Sequence, residues 1–294
     1  MMAILWQFSR PHTIVGTTLS VLALYFFAYH FTADWTGQGW ALAGTLVACL
    51  AGNLYIVGLN QLTDVAIDRI NKPHLPLAAG TLSMGTGQWL VAIAGLASLI
   101  LAGIQGIYLL GTVLVSLGLG TAYSLPPARL KRFPFWAALC IVGVRGVVVN
   151  LGLFCHFRSL AAAPLAPSLP VLLLTGFVVW FSVAIALLKD LPDTKGDAQF
   201  AINTLAVQWG QRRVFAIAWW GLLVLYLGFA LVFIGITPWG TAAHLVLAFA
   251  LWSAQRSVDF SEQPSLSRFY QFIWRLFYAE YVLLPVLWGI LLEP

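Results

Sequence analysis

Long apolar runs separated by short polar connections repeat along the whole chain, and their lengths predict membrane-crossing helices. Crossing a bilayer takes about 20 mostly apolar residues. On that criterion the sequence predicts nine transmembrane helices, over residues 13–32, 40–62, 86–104, 107–124, 135–157, 169–188, 213–235, 239–254 and 271–292. The third and fourth are joined by a very short turn around Gly103 and Gly106. The most polar stretches, 189–213 and 255–268, read as loops between spans, too short for a second domain. The expectation is therefore one all-α integral membrane domain over residues 1–294.

Composition agrees with that pattern. Hydrophobic residues make up 61% of the chain, charged residues only 9%, and the mean hydropathy is +0.89, which excludes a soluble globule. Cys49, Cys140 and Cys155 all fall inside apolar runs, against a disulfide framework or a thiolate metal site. The Lys and Arg residues test the span count. With a cytoplasmic N-terminus, all of them except Arg145 and Arg158 fall on the cytoplasmic side, as the positive-inside rule requires. An odd number of spans then puts the C-terminus outside. Trp35, Trp40, Trp136, Trp209 and Trp239 sit near span ends, as interfacial anchors do. Neither a cleavable signal peptide nor an Arg- and Ser-rich transit peptide is apparent. A bacterial or cyanobacterial chain in a plasma or thylakoid membrane, or an already processed chain, fits best.

With so few charges, their grouping is informative. Asn60, Asp64 and Asp68 recur every four residues at the end of an apolar run, which on a helix places one amide and two carboxylates on a single stripe of about 12 Å. Asp190, Asp193 and Asp197 repeat the arrangement after the run that ends near Leu188. The two groups hold half of the chain's ten acidic residues. One such pair would read as a solvated helix end. Two on the same side of the membrane point to a site, and hard oxygen ligands of this kind suit Mg²⁺, which binds through a few carboxylates plus substrate phosphates.

A third element, Tyr123-Ser-Leu-Pro-Pro-Ala-Arg129-Leu-Lys131-Arg132, faces the same side. Its two prolines stop a helix and leave a hydroxyl pair, Tyr123 and Ser124, beside three cations. A basic loop can be a topology signal alone. With Arg10, Lys72 and two acidic clusters nearby, it describes a diphosphate site in which metals bridge oxygens and cations neutralise the rest. The Gly-rich nucleotide motifs are absent, which argues against nucleoside triphosphate chemistry.

These elements, Asn60-x-x-x-Asp64-x-x-x-Asp68, the Tyr123-Ser-x-Pro-Pro-x-Arg-x-Lys loop and Asp193-x-x-x-Asp197, resemble the signature set of the UbiA-type intramembrane aromatic prenyltransferases. Further stretches resemble that family's homogentisate phytyltransferase branch: Ser9-Arg-Pro-His-Thr13, 60–80, Val144-Arg-Gly-Val-Val-Val-Asn150, Lys189-Asp-Leu-Pro-Asp193 and 269–281. The resemblance implies nine transmembrane helices around a central cavity. It implies one Mg²⁺ on Asn60, Asp64 and Asp68 and a second on Asp193 and Asp197, with Asp190 in the same local pattern. Asp64, Asp68, Asp193 and Asp197 would then be the catalytic carboxylates. Arg10, Asn60, Lys72, Tyr123, Ser124, Arg129 and Lys131 would hold the diphosphate, with Lys189 and Arg69 behind them.

The implied reaction is Mg²⁺-dependent transfer of a prenyl group, phytyl by the branch resemblance, from its diphosphate to homogentisate with loss of CO₂. The product would be the 2-methyl-6-phytyl-benzoquinol of tocopherol synthesis. The partners are then a prenyl diphosphate, an aromatic acid and the lipid bilayer, with no nucleic acid. The alternatives are other donors (geranylgeranyl, solanesyl), other acceptors (4-hydroxybenzoate, a naphthoate, chlorophyllide) and a cation-coupled transporter. Transporter carboxylates, however, tend to lie near the bilayer midplane.

The acceptor's carboxylate calls for a buried cation, and Arg145 is the one basic residue well inside a span. Asn150 and His156 of the same run are its candidate helpers. Against this, Arg145 could snorkel or pair with Glu280. His12 and His74 could contact diphosphate, whereas His30 and His244 read as interface or core residues.

Overall fold

The computed structural model describes residues 2–30, 39–200 and 202–291, and every regular element among them is helical. In order these are α1 (Met2–Phe8), α2 (Pro11–Tyr29), α3 (Gly39–Asn71), α4 (Met84–Gln105), α5 (Ile107–Ser124), α6 (Pro134–Val142), α7 (Val149–Leu160), α8 (Leu169–Leu188), α9 (Thr194–Gln199), α10 (Leu205–Trp209), α11 (Gln211–Ile234), α12 (Pro238–Ala254) and α13 (Gln263–Leu291). Among the described residues, seven helical segments are long and apolar enough to cross a membrane: α2, α3, α4, α5, the continuous Pro134–Leu160 segment, α8 and α11. The other two expected spans are also helices. However, α12 has only 17 residues, and α13 carries Arg268, Arg275 and Glu280 along its 29. Trp35 lies outside the described residues, while Trp40, Trp136, Trp209 and Trp239 are exposed.

Three departures from the expected pattern matter for the site. First, α3 does not stop near residue 62. It has 33 residues, about 50 Å of helix, against a hydrocarbon core of about 30 Å. Nothing breaks it before Pro73, so its last turns, carrying Asn60 to Asn71, extend past what the bilayer needs. Second, the expected helix over 135–157 is interrupted between α6 and α7 by a π-helical turn, Gly143–Val148, which carries Arg145. Third, three short helices appear where loops were expected: α1 before Arg10, α9 after Asp193, and α10. The tight turn between α4 and α5 comes down to Gly106, whose φ of 130° suits glycine and few other residues.

Lipid is as apolar as a leucine side chain, so close packing and buried polar contacts do much of the work of holding such helices together. Along the α3–α4 contact a Cβ on Gly58 would meet Val91 and Phe8, and one on Gly95 would meet Tyr55. Ser98 Oγ donates to the Ala48 carbonyl at 2.8 Å across the same contact. Away from it, Trp89, Ile93, Leu96, Ile100 and Ile104 of α4 are exposed on one helical stripe, as are Ile217, Trp220, Val224, Leu227, Leu231 and Ile234 of α11. Whole faces of exposed apolar side chains are those of an integral membrane protein. The interior is aromatic: Phe27, Phe154, Phe157, Phe177, Phe181, Phe233, Trp274 and Phe277 are buried where α2, α7, α8, α11 and α13 meet.

Candidate active site

Asp64 sits on the α3 stripe at the centre of the first cluster. Its Oδ1 accepts from Lys131 Nζ at 2.5 Å and Arg129 Nη2 at 3.3 Å, and its Oδ2 from Asn60 Nδ2 at 2.9 Å. Asn60 Oδ1 in turn accepts from Arg10 Nη2 at 3.2 Å. Lys131 also donates to Thr63 Oγ1 at 3.1 Å. Burial pulls the Lys131 ammonium below the usual lysine range, with Asp64 opposing that shift. Arg10 and Arg129 both have left-handed backbones, φ 52° and 35°. That conformation costs a non-glycine residue roughly 1–2 kcal/mol and recurs where a ligand site dictates side-chain direction.

The second cluster comes from the end of α8 and from α9, and it meets the first directly. Lys72, one residue past α3, is ion-paired with Asp193. Asn71 Nδ2 donates to Asp197 Oδ1 at 3.3 Å, while Asn71 Oδ1 accepts from the Gly196 N–H at 3.0 Å. Glycine is required at 196 because a Cβ there would collide with the Asn71 amide. Gln263 of α13 ties the junction, donating to the Asn71 carbonyl at 3.1 Å and the Pro192 carbonyl at 2.8 Å. Lys189 Nζ reaches Asp190 Oδ1 at 2.6 Å. Burial works against the Lys189 charge, but Asp190, Tyr123 and Asp193 outweigh it and raise the ammonium well above its ordinary value. Burial, with Asp193 and Asp190 adding to it, pushes the Asp197 carboxyl up to about 7.

Within the two clusters, two buried carboxylate oxygens, Asp68 Oδ2 and Asp193 Oδ1, have no hydrogen-bond partner. Unsatisfied buried anionic oxygens cost several kcal/mol and suit a cation. Among the described residues no three Asp, Glu, His or Cys side chains converge into a ready-made metal cage. Mg²⁺ does not need one, since it is held by one or two carboxylates together with substrate phosphates and water.

A cavity of about 290 Å³ opens beside these clusters, with Arg10, Asn60, Tyr123 and Lys189 in its wall. It follows α5 from Tyr123 back to Thr112, about 16 Å of helix, and is lined by Gly52, Ile56, Val113, Leu117, Val149 and Leu153 among others. His12, Arg145, Tyr270, Trp274 and Phe277 line it from α2, the π-turn and α13. A charged end and an apolar body fit an amphiphile with an anionic head.

The UbiA prenyltransferase family profile matches residues 16–276. The chain belongs to that family. It is 49% identical to a homogentisate phytyltransferase of Synechocystis sp., over 96% of this chain and 95% of that one. It is 40% identical to a chloroplastic homogentisate solanesyltransferase of Arabidopsis thaliana, over 96% of this chain and 76% of that one. In three dimensions it resembles a UbiA homologue from Archaeoglobus fulgidus solved with GPP and Mg²⁺, with a TM-score of 0.65 at 17% identity over 96% of this chain and 99% of that one.

The structure brings most of the expected site residues together and leaves several apart. Arg10, Asn60, Asp64, Asp68, Lys72, Arg129, Lys131, Lys189, Asp190, Asp193 and Asp197 belong to the two adjoining clusters, and Tyr123 lines the cavity. Ser124 is fully buried, its hydroxyl has no partner, and it is not part of the cavity wall. Arg69, His74 and Arg132 are exposed. Asn150 lies behind the wall rather than in it, and His156 is bonded to Thr45 Oγ1 at 2.9 Å, so neither faces the cavity as expected. Glu280 does not pair with Arg145; its Oε1 meets His244 Nε2 at 3.2 Å with both side chains fully buried. Sequence reasoning missed Asn71, although it continues the stripe of Asn60, Asp64 and Asp68 at helical spacing, and Gln263, which carried no local signal.

Proposed function

We propose that this prenyltransferase moves a phytyl group from phytyl diphosphate to homogentisate, with loss of CO₂, giving the 2-methyl-6-phytyl-benzoquinol used in tocopherol synthesis. The observation that carries the reading is the junction of two acidic clusters and five cations at the mouth of a mainly apolar cavity. The phytyl donor rests on the Synechocystis phytyltransferase at 49% identity, against 40% for the solanesyltransferase, which is the alternative donor class.

Asn60, Asp64 and Asp68 would hold one Mg²⁺, and Asp193 and Asp197 a second; the unpartnered oxygens of Asp68 and Asp193 fit that role. GPP and Mg²⁺ in the Archaeoglobus homologue support it. Mg²⁺ supplies Lewis-acid stabilisation of the departing pyrophosphate. Arg10, Lys72, Arg129 and Lys131 place further positive charge where the negative charge develops, having been drawn to one point by Asn60, Asp64 and Asp193. The Tyr123 hydroxyl and Lys189 border the same space. The apolar walls around Ile56, Val113 and Leu153 keep water from the allylic cation, so that an electron-rich ring carbon of the acceptor captures it.

The site end of the bundle gathers most of the chain's basic residues, which supports a cytoplasmic N-terminus and cytoplasmic site loops in a single transmembrane domain. The test uses purified protein in nanodiscs with Mg²⁺, labelled homogentisate and phytyl, geranylgeranyl or solanesyl diphosphate. Mass analysis is expected to find the methyl-phytyl-benzoquinol as the main product. A parallel reaction replaces homogentisate with labelled 4-hydroxybenzoate, and its prenylation in preference to homogentisate would overturn the acceptor.

A further inference from the structure

We propose that Arg145 is the docking point for the carboxylate of the aromatic acceptor, held in place by Asn150 and Tyr281 as positioning residues. This deepens the reading above and rests on it. Three observations meet here.

The first is an uncompensated cation. Arg145 lines the cavity, its Nη1 is buried without a hydrogen-bond partner, and no described carboxylate is ion-paired with it. Among the described residues the acid inside this part of the bundle, Glu280, is engaged by His244. The guanidinium lies instead over the ring of Trp274, 4.7 Å from its centroid, and near Phe277 at 5.7 Å. Aromatic faces stabilise a cation only in part. A buried guanidinium with a free N–H is completed by an anion, and its planar fork matches a carboxylate with two parallel bonds.

The second is the backbone that aims it. Widening to a π-turn over 143–148 displaces carbonyls from ordinary helical pairing, and Asn150 fills the gap: its Nδ2 donates to the Arg145 carbonyl and to the Gly146 carbonyl, both at 2.9 Å. Asn150 Oδ1 accepts from Tyr281 Oη at 3.2 Å, which ties the turn to α13. With both amide hydrogens and the oxygen engaged, Asn150 is a brace rather than a ligand. The third is the setting. Trp274 and Phe277 stand in the cavity wall beside Arg145, apolar faces against which an aromatic ring can lie, while Tyr123 and Lys189 border the same cavity toward the diphosphate clusters.

Steady-state kinetics with homogentisate and phytyl diphosphate test this. Arg145→Ala is expected to raise KM for homogentisate at least tenfold and to leave KM for the diphosphate within about twofold, with Arg145→Lys recovering part of the loss. Asn150→Ala and Tyr281→Phe should raise the same KM by smaller factors. A second arm uses the wild type alone: the acid should outbind its neutral amide, 2,5-dihydroxyphenylacetamide, as a competitor for the acceptor site, and Arg145→Lys should narrow that preference. A wild type inert toward homogentisate removes both this proposal and the function above. Normal wild-type turnover with an unchanged acceptor KM in Arg145→Ala, a rise in the diphosphate KM alone, or equal binding of acid and amide overturns this proposal only.

Discussion

Asp64→Asn and Asp193→Asn are each expected to lower turnover by a thousandfold or more while leaving the protein folded and monodisperse in detergent. Either substitution removes an anionic charge from the proposed ion and pyrophosphate site, and losing one such electrostatic element costs about a hundred- to a thousandfold even where no metal is involved. Asp64 also gathers Lys131 and Arg129, so its loss disperses two of the cations proposed to face the leaving group. Asparagine keeps the shape and leaves Lys131 its contact with Thr63. The check is pyrophosphate release from phytyl diphosphate, with size-exclusion and circular dichroism as the folding control. Activity within tenfold of wild type in either variant contradicts the assignment.

The second large effect concerns stability. His244→Ala is expected to destabilise the protein by about 3 kcal/mol, because it strands Glu280 without a partner in a fully buried setting and opens a void beneath Phe233, which stacks on the imidazole at 4.9 Å. Glu280→Gln, which keeps the size and one hydrogen bond to His244, should cost about 1 kcal/mol. Neither residue lines the cavity, so Michaelis constants of the surviving protein should stay near wild type. Unfolding in a denaturing detergent series measures both. Equal stability of His244→Ala and wild type would show that the pair contributes nothing.

The parts of the molecule legible in the sequence are those governed by local rules. Apolar run length located the helices, since the bilayer sets a minimum length whatever the neighbouring segments do. Spacing by four put Asn60, Asp64 and Asp68 on one stripe, because that periodicity belongs to any helix. What stayed hidden depends on neighbours distant in the chain. The π-turn at Gly143–Val148 is sustained by Asn150 and by Tyr281, more than 130 residues away. Glu280 looked available to Arg145 because nothing local announces that His244 of α12 engages it first. The run of α3 out to Asn71 was legible in principle from Pro73 as the first breaker, but hydropathy alone ends the span where charge begins.

On the proposed mechanism, two distant acidic segments share one divalent-cation and pyrophosphate cluster. Titrating the purified protein with Mn²⁺ in the presence of a non-ionising phytyl thiodiphosphate, followed by electron paramagnetic resonance, tests it most directly. Two magnetically coupled ions per chain are expected, with coupling lost in both Asp64→Asn and Asp193→Asn. A single isolated ion, or a spectrum indifferent to either substitution, would contradict it.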